Sequence, residues 1–271
     1  MHLWLNSILL GILEGITEFL PISSTGHLIL VRRFLPLGRG FEDTFDIVVQ
    51  LPAILAIVVL YRQRLWDEAV GVVTKPQARR FWLGLFFAFL PAAVIGFFFH
   101  NKIESYLFKP RVVAIALLLG GVVILLVERF MKEGGREPAE AVPMKSSFGI
   151  GLFQCLAMIP GTSRSAATII GGRLLGLNRA AAAEYSFFLA LPTMFAATGF
   201  QLLKRYKYIE WGQYAVPLLL GSLASFVTAY LVVAWFIRFL KTRTLSAFGW
   251  YRIALALVVI AAVALGANLE S

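Results

Sequence analysis

Charge and cysteine are scarce in this sequence. Only 15% of its 271 residues are charged, whereas 59% are hydrophobic. The single cysteine, Cys155, allows no internal disulfide and gives no cysteine-based metal pattern. The start of the chain lacks the basic leader and the small-residue cleavage site of a signal peptide, so we expect it to remain in the mature protein. A soluble domain of this length is less apolar, and the composition therefore predicts a polytopic membrane protein.

Six uninterrupted apolar segments follow one another along the chain, each near the roughly 20 residues that a spanning helix needs. We therefore expect an all-α fold with about six transmembrane helices. The formal net charge of +10 is typical of basic loops that face the cytoplasm and anionic lipid, and no nucleic-acid partner is expected. The predicted spans are 44–61, 81–99, 112–127, 185–203, 214–237 and 251–267.

Two further apolar segments, 3–35 and 148–176, are each broken by a proline and a short polar run. The second apolar half of each is too short to span a membrane alone. Non-helical backbone at membrane depth occurs only where it is buried in protein or lines a wet cavity. The pattern predicts two re-entrant helix pairs, with a long kinked spanning helix as the alternative.

The second half of the chain resembles the first. Pro21-Ile22-Ser23-Ser24 aligns with Pro160-Gly161-Thr162-Ser163, and an apolar span with an internal proline follows each of them. Breaks at matching positions indicate an internal repeat with a site between the halves. Three predicted spans separate the two broken segments, so the repeats are expected to be inverted. We therefore predict a single integral membrane domain, 1–271, built of repeats at about 1–130 and 145–271 and joined by a linker within 128–147.

Lysine and arginine favour the cytoplasmic side of a membrane protein. With six spans and two re-entrant segments, fifteen of them fall on one side and nine on the other, and Arg164 is left inside. This count assigns Arg173 and Arg252 to the richer side. It predicts that the 61–80 and 128–147 loops are cytoplasmic and that both termini lie outside.

The first break carries two acids in apolar sequence, where ionisable residues indicate function. Glu14 and Glu18 are four residues apart, so on a helix they share one face. Like charges that close need compensation by a shared proton or by a divalent cation such as Mg²⁺ or Ca²⁺, which also binds substrate phosphates. The alternative is an acid pair in a loop at the membrane surface.

Hydroxyl residues precede the second half-helix in both broken segments. The first run supplies N-cap hydroxyls, free backbone N–H groups and the positive end of a helix dipole, which favour a phosphate. Each serine alone is explained as a helix cap. Because Arg164 adds a rigid fork of donors suited to phosphate oxygens, the two caps together predict an anion site. The residues concerned are Ser23, Ser24, Thr25 and Gly26 in the first break and Gly161, Thr162 and Ser163 in the second.

His27 follows Ser24 by three residues, within reach of its hydroxyl. It could act as the base for a serine nucleophile, protonate a leaving phosphate or itself become a phosphohistidine. A lone histidine is usually structural, and His2 and His100 are interpreted in that way. Secondary candidates for the site are Asp46, Gln50, Gln154, Glu184 and Ser186.

Both breaks resemble signatures of one protein family. Residues 14–21 (EGITEFLP) followed by 23–27 (SSTGH) resemble the first signature of the bacterial undecaprenyl pyrophosphate phosphatases, the bacitracin-resistance family. Residues 160–165 (PGTSRS) with Thr168 resemble the second. The order of apolar segments and the stretch 45–50 also match, so the resemblance covers essentially the whole chain.

The resemblance implies a plasma (inner) membrane enzyme that hydrolyses an isoprenyl pyrophosphate lipid and recycles the carrier for cell-wall synthesis. It implies a divalent cation, Mg²⁺ or Ca²⁺, and an active site facing the periplasm. A homodimer is a separate expectation, since the sequence does not determine the oligomeric state. The matching catalytic positions are Glu14, Glu18, Ser24 and His27, with Glu14 and Glu18 as metal ligands. Pyrophosphate binding is implied for Arg164, Ser163, Ser165, Ser23, Thr25 and Thr168.

A lipid-phosphate flippase or transporter is the competing interpretation. Inverted repeats with broken helices that meet at mid-membrane are also typical of transporters. A flippase needs to bind phosphate but needs neither a nucleophile nor a base. The cluster of Glu18, Ser24 and His27 therefore favours the enzyme. Spacing alone leaves Ser24, His27 and a metal-activated water open as the attacking group.

Overall fold

A computed structural model describes residues 3–38, 40–107, 109–131, 138–206 and 211–265. The middle of the predicted linker, 132–137, lies outside the described residues, as do His2 and the side chain of His100. Across the described ranges the fold is all-α. The helices are α1 (Leu3–Thr17), α2 (Ser24–Val31), α3 (Phe41–Leu60), α4 (Arg62–Gly71), α5 (Pro76–Leu107), α6 (Pro110–Phe130), α7 (Met144–Cys155), α8 (Arg164–Leu174), α9 (Arg179–Arg205), α10 (Trp211–Leu240) and α11 (Ser246–Ala264), with 3-10 turns at Ala139–Ala141 and Leu156–Met158.

Six of these helices, α3, α5, α6, α9, α10 and α11, are long and apolar enough to cross a membrane. This confirms the predicted all-α membrane fold and its six spans. Large apolar side chains cover their outer faces, and Phe97 and Leu219 are 73% and 68% exposed. Exposed apolar surface of this extent requires lipid as its solvent. Four of the six carry a proline in the interior (Pro52, Pro91, Pro192 and Pro217), which membrane helices tolerate.

Both broken segments form helix, break and helix. The helix α1 ends at Thr17 and α2 begins at Ser24; α7 ends at Cys155, and α8 begins at Arg164. The intervening residues are turns, bends and one 3-10 turn, so neither segment is a single kinked helix. Each proline lies inside its break, where it cannot continue the preceding helix.

The first helix of each broken segment packs closely against a long helix from the other half of the chain. A Cβ added at Gly11 of α1 would overlap the carbonyl oxygen of Gly221 in α10. A Cβ added at Gly151 of α7 would overlap the carbonyl oxygen of Ala88 in α5 in the same way. Small residues permit this approach in membrane helix pairs. The two halves therefore hold each other's broken segments, and this brings the two breaks together.

Candidate active site

The two breaks end in the same local conformation. Ser23 and Ser163 are the only non-glycine residues with positive φ among those described, at 71° and 70°. Each is an N-cap: Ser23 Oγ accepts from the Gly26 N–H (3.4 Å), and Ser163 Oγ accepts from the Ala166 N–H (3.2 Å). A serine with positive φ costs free energy. Such a backbone conformation persists only where the surrounding structure enforces it, commonly at functional sites.

Glu18, Ser24 and Arg164 meet between the breaks. Ser24 Oγ donates to Glu18 Oε2 at 2.9 Å, and Arg164 Nη2 lies 3.6 Å from Glu18 Oε1. Both charged side chains are about one-tenth exposed, at 11% for Glu18 and 10% for Arg164. Arg164 Nη1 donates to the Ser186 carbonyl (3.2 Å), and its guanidinium carbon lies 5.7 Å from the centroid of the Phe19 ring. These contacts hold the arginine in one orientation.

Arg164 has hydrogen-bond donors that the described residues do not pair. Its buried Nε and Nη2 atoms have no hydrogen-bond partner within the described part of the chain. Unpaired buried donors are costly, and a bound anion with several oxygens would satisfy them. The arginine is therefore oriented by Ser186 and Glu18 and still able to bind a phosphate.

A polar cavity of about 150 Å³ lies at this point. Six of the ten predicted catalytic and pyrophosphate-binding residues line this cavity. The other four, Glu14, His27, Ser165 and Thr168, do not. Residues from both breaks contribute polar and charged side chains to its lining, and this lining suits a small anionic group. The lining residues are Glu18, Ser23, Ser24, Thr25, Gln50, Ala157, Pro160, Gly161, Ser163 and Arg164.

A larger apolar cavity of about 500 Å³ adjoins the polar one. The two share Glu18, Gln50, Ala157 and Arg164 in their linings. Its other walls come mainly from α5 and α9, and its volume is within the roughly 300–1,000 Å³ typical of small-molecule sites. A charged compartment beside an apolar one suits a ligand with an anionic head and a hydrocarbon tail. Among its apolar lining residues are Phe89, Ala92, Gly96, Met158, Met194 and Phe200.

Glu14 lies one turn before Glu18 on α1 and is only 1% exposed. Its Oε2 atom is buried and has no hydrogen-bond partner among the described residues. No group of three or more His, Cys, Asp or Glu side chains with metal-binding geometry occurs in the described ranges. Two carboxylates still fit a hard cation, because Mg²⁺ commonly uses one or two of them together with water and substrate phosphate oxygens.

His27 and Ser24 form hydrogen bonds to other groups in this structure, and the catalytic role of His27 stays a prediction. Its Nδ1 atom lies 2.7 Å from the Ser23 carbonyl oxygen, and its Nε2 atom lies 2.6 Å from the Tyr251 hydroxyl. Because a carbonyl can only accept, Nδ1 carries the proton, and in the neutral ring Nε2 accepts from Tyr251. Glu18, not His27, is the side chain that accepts from Ser24.

Ser165 and Thr168 do not line the polar cavity, and their contacts with pyrophosphate stay a prediction. Ser165 Oγ donates to the Leu20 carbonyl (2.7 Å) and therefore joins one break to the other. Thr168 Oγ1 donates to the Arg164 carbonyl (2.8 Å) and lies 2.6 Å from Ser186 Oγ. Both hydroxyls are buried and stabilise the backbone of the site.

The secondary candidates divide into two groups. Gln50 lines both cavities, and Gln154 lines the apolar one. Asp46 is ion-paired with Arg32. Ser186 orients Arg164, as described above, whereas Glu184 accepts from Arg64 at 2.9 Å in a separate ion-pair cluster.

Sequence reasoning missed Arg252. The lysine and arginine count assigned it to the cytoplasmic side, but its side chain is fully buried and reaches the breaks from α11. It donates to the carbonyls of Pro21 (3.3 Å), Gly161 (2.9 Å) and Thr162 (3.0 Å). Arg173, counted on the same side, is also buried. The sequence does contain a signal for it. Arg252 is a charged residue in an apolar span, and ionisable residues in such spans indicate function, as for Arg164.

The chain is similar to one family of proteins over nearly its whole length. The family described as Bacitracin resistance protein BacA matches residues 7–258. An undecaprenyl-diphosphatase from Aromatoleum aromaticum is 48% identical over 261 residues, which cover 96% of this chain and 95% of that protein. Proteins of the same name from Rhizorhabdus wittichii and Pseudomonas fluorescens are 48% and 44% identical, covering 92% and 96% of this chain and 93% and 95% of their own lengths. The chain therefore belongs to the bacitracin resistance protein BacA family.

Proposed function

We propose that this multi-pass membrane protein is an undecaprenyl-diphosphatase. It hydrolyses undecaprenyl pyrophosphate to the monophosphate and inorganic phosphate, which recycles the lipid carrier for cell-wall synthesis and confers bacitracin resistance. One observation carries the proposal: the polar cavity at Arg164 shares a wall with an apolar cavity more than three times its volume. The relatives named undecaprenyl-diphosphatase give the chemical identity of the ligand.

The substrate would occupy both cavities. Its pyrophosphate lies among Arg164, Ser163, Ser23 and Thr25, where Arg164 supplies the buried donors that lack a partner. The first isoprenyl units lie in the apolar cavity, and the rest of the chain remains in lipid. Because the tail is solvated by lipid before it binds, the apolar cavity contributes shape and van der Waals contact, and the pyrophosphate contacts supply the polar part of the binding free energy.

Ser24 is proposed as the nucleophile and Glu18 as its base. Ser24 Oγ attacks the terminal phosphorus while its proton moves to Glu18 Oε2, which already accepts from it at 2.9 Å. The bond from this phosphorus to the bridging oxygen breaks, and the lipid monophosphate leaves with that oxygen. Glu18 passes this proton to the departing lipid monophosphate and is a carboxylate again. It then takes a proton from a water that attacks the phosphoserine, and it returns this proton to Ser24 Oγ as inorganic phosphate leaves. Direct attack by such a water is the alternative.

Glu14 and Glu18 are proposed to hold a divalent cation, Mg²⁺ or Ca²⁺, together with substrate oxygens. When bound, the cation would neutralise charge on the pyrophosphate, which is the main task in phosphoryl transfer. The buried and unpartnered Glu14 Oε2 supports this assignment. Arg164 performs the same electrostatic task from the second break.

The wider architecture is part of the proposal. We assign the two broken segments as re-entrant pairs in inverted repeats of a single domain, with the cavity open to the periplasmic side of the plasma membrane. The matched N-caps and the reciprocal packing of α1 on α10 and of α7 on α5 support the repeat. A homodimer is also proposed, and the mass of the detergent-solubilised particle tests it.

Phosphate release from undecaprenyl pyrophosphate by the purified protein tests the function. We expect activity that chelation abolishes and that Glu18→Gln and Arg164→Ala reduce by at least about a hundredfold. Glu128→Gln is the matched control, because Glu128 forms a buried ion pair with Arg179 away from both cavities. An inactive parent that moves lipid phosphates across vesicles would replace the enzyme by the flippase. Variants as active as the control would place the site elsewhere.

A further inference from the structure

All three guanidinium nitrogens of Arg252 in α11 donate hydrogen bonds to backbone carbonyls. Nη1 donates to the carbonyls of Pro21 (3.3 Å) and Thr162 (3.0 Å), and Nη2 donates to those of Gly161 (2.9 Å) and Ala116 (3.1 Å). Nε donates to the Leu117 carbonyl at 3.4 Å. A guanidinium has five N–H donors, so each donor of Arg252 has a carbonyl acceptor.

Three of those carbonyls belong to the two breaks. Pro21 lies three residues before Ser24, and Gly161 and Thr162 lie just before the cap Ser163 and Arg164. Backbone in a break has no helical partner for its carbonyls, and an unsatisfied carbonyl in the membrane costs several kcal/mol. The Arg252 side chain therefore provides hydrogen-bond donors to carbonyls of both breaks and holds the breaks at a fixed separation.

Helix α6 provides the rest of the support. Gly120 of α6 leaves room for the guanidinium, because an added Cβ there would overlap Nη2. Gly161, with φ of 92°, lies against Val113 of α6, whose carbonyl oxygen would be 2.5 Å from an added Cβ. The second break is therefore pressed against α6 and tied to the first break through α11.

We propose that Arg252 is a positioning residue for the phosphatase reaction, holding the nucleophile-bearing break and the arginine-bearing break at the separation that the pyrophosphate requires. The inference rests on the proposed function. Arg252 does not line either cavity and acts through the carbonyls of Pro21, Gly161 and Thr162. Its role differs from that of Arg164, which binds the substrate.

Arg252→Lys is the main test. Lysine keeps the positive charge but has three donors, so at least two of the five carbonyls lose their partner. A shift of about 1 Å between reacting groups can cost about a hundredfold in rate. We expect kcat to fall by at least about tenfold, while KM changes by less than about threefold because Arg252 lines neither cavity.

Arg173→Lys is the matched control. Arg173 is another buried arginine that donates to a backbone carbonyl, but this carbonyl is that of Leu177, which follows α8 and belongs to neither break. We expect this variant to keep the parent kcat per folded protein. Equal losses of kcat in Arg252→Lys and Arg173→Lys would show a general effect of buried arginines and would overturn the proposal.

Gly120→Ala tests the same geometry should Arg252→Lys fail to fold. It keeps Arg252 but displaces its guanidinium, and alanine is itself the better helix former. Gly199→Ala is its control, since an added Cβ at Gly199 meets nothing within 4 Å. We expect a fall in kcat with Gly120→Ala alone. A parent-like kcat in a folded Arg252→Lys or Gly120→Ala variant overturns the proposal, whereas an inactive parent overturns the proposed function.

Discussion

Ser24→Ala, Glu18→Gln and the double variant test whether the two side chains act as one catalytic unit. Ser24 Oγ donates to Glu18 Oε2 at 2.9 Å, and both ring nitrogens of His27 are bonded to other groups. If Glu18 takes the proton from an attacking Ser24, either substitution alone disables the same step. The double variant is then no slower than the slower single variant, as for other groups that act together.

The expected magnitude follows from the chemistry. General base catalysis is worth about 10²–10⁴ in rate, or roughly 3–5 kcal/mol of activation free energy. Loss of the hydrogen bond from Ser24 to the Glu18 carboxylate is worth about 1.5–3 kcal/mol, which corresponds to roughly ten- to 150-fold in rate. A fall of about a thousandfold or more in Ser24→Ala therefore distinguishes a nucleophile from a hydroxyl that merely orients Glu18.

The assay is phosphate release at saturating undecaprenyl pyrophosphate, with helix content and melting temperature recorded for each variant. Ser225→Ala is the matched control, because Ser225 is a fully buried serine that donates to the Val49 carbonyl at 3.1 Å away from the site. It should keep the parent kcat. If Ser24→Ala stays within about threefold of the parent while Glu18→Gln fails, the nucleophile is water. If the two effects multiply in the double variant, the two side chains act in separate steps.

Three further predictions follow from packing and hydrogen bonding. Tyr251→Phe removes the hydroxyl from His27 Nε2 and should lower kcat by up to about tenfold, with the ring still stacked; an unchanged rate would show that this bond does not position the site. Gly11→Ala should lower the melting temperature in detergent, since overpacking against Gly221 costs about 1–3 kcal/mol; a parent-like melting curve would refute the close approach of α1 and α10. Gly96→Phe fills the apolar cavity and should raise KM for undecaprenyl pyrophosphate by about tenfold or more. The increase in KM should be smaller for a short-chain isoprenyl pyrophosphate. Equal increases for both substrates would exclude this cavity as the binding site of the tail.

Much of the fold could be predicted from local sequence. Uninterrupted apolar runs correspond to the six long helices because length and hydropathy are properties of each segment alone. The breaks were visible because Pro21 and Pro160 cannot continue a helix and polar residues surround them. The meeting of Glu18, Ser24 and Arg164 was also predicted, since two matching breaks in opposite halves imply a shared site.

The direction of individual side chains could not be predicted. His27 binds Tyr251, which lies 224 residues away in sequence, so its orientation depends on how α11 packs. Ser165 similarly lies 145 residues from Leu20, whose carbonyl it binds. The charge count places Arg252 on the cytoplasmic side because a count of basic residues by segment ignores depth within the span. The apolar cavity arises between α5 and α9 and has no signature in either helix alone.

The packing of α1 on α10 has a consequence for biosynthesis. The chain is made from its N-terminus at about 5–20 residues per second, so α1 waits on the order of ten seconds or more for the helix that covers Gly11. Arg252, which ties the first break to the second, is synthesised later still. We therefore expect hydrolytic activity only after α11 has been made. A truncated translation product that stops before α11 is expected to insert into the membrane without becoming a phosphatase.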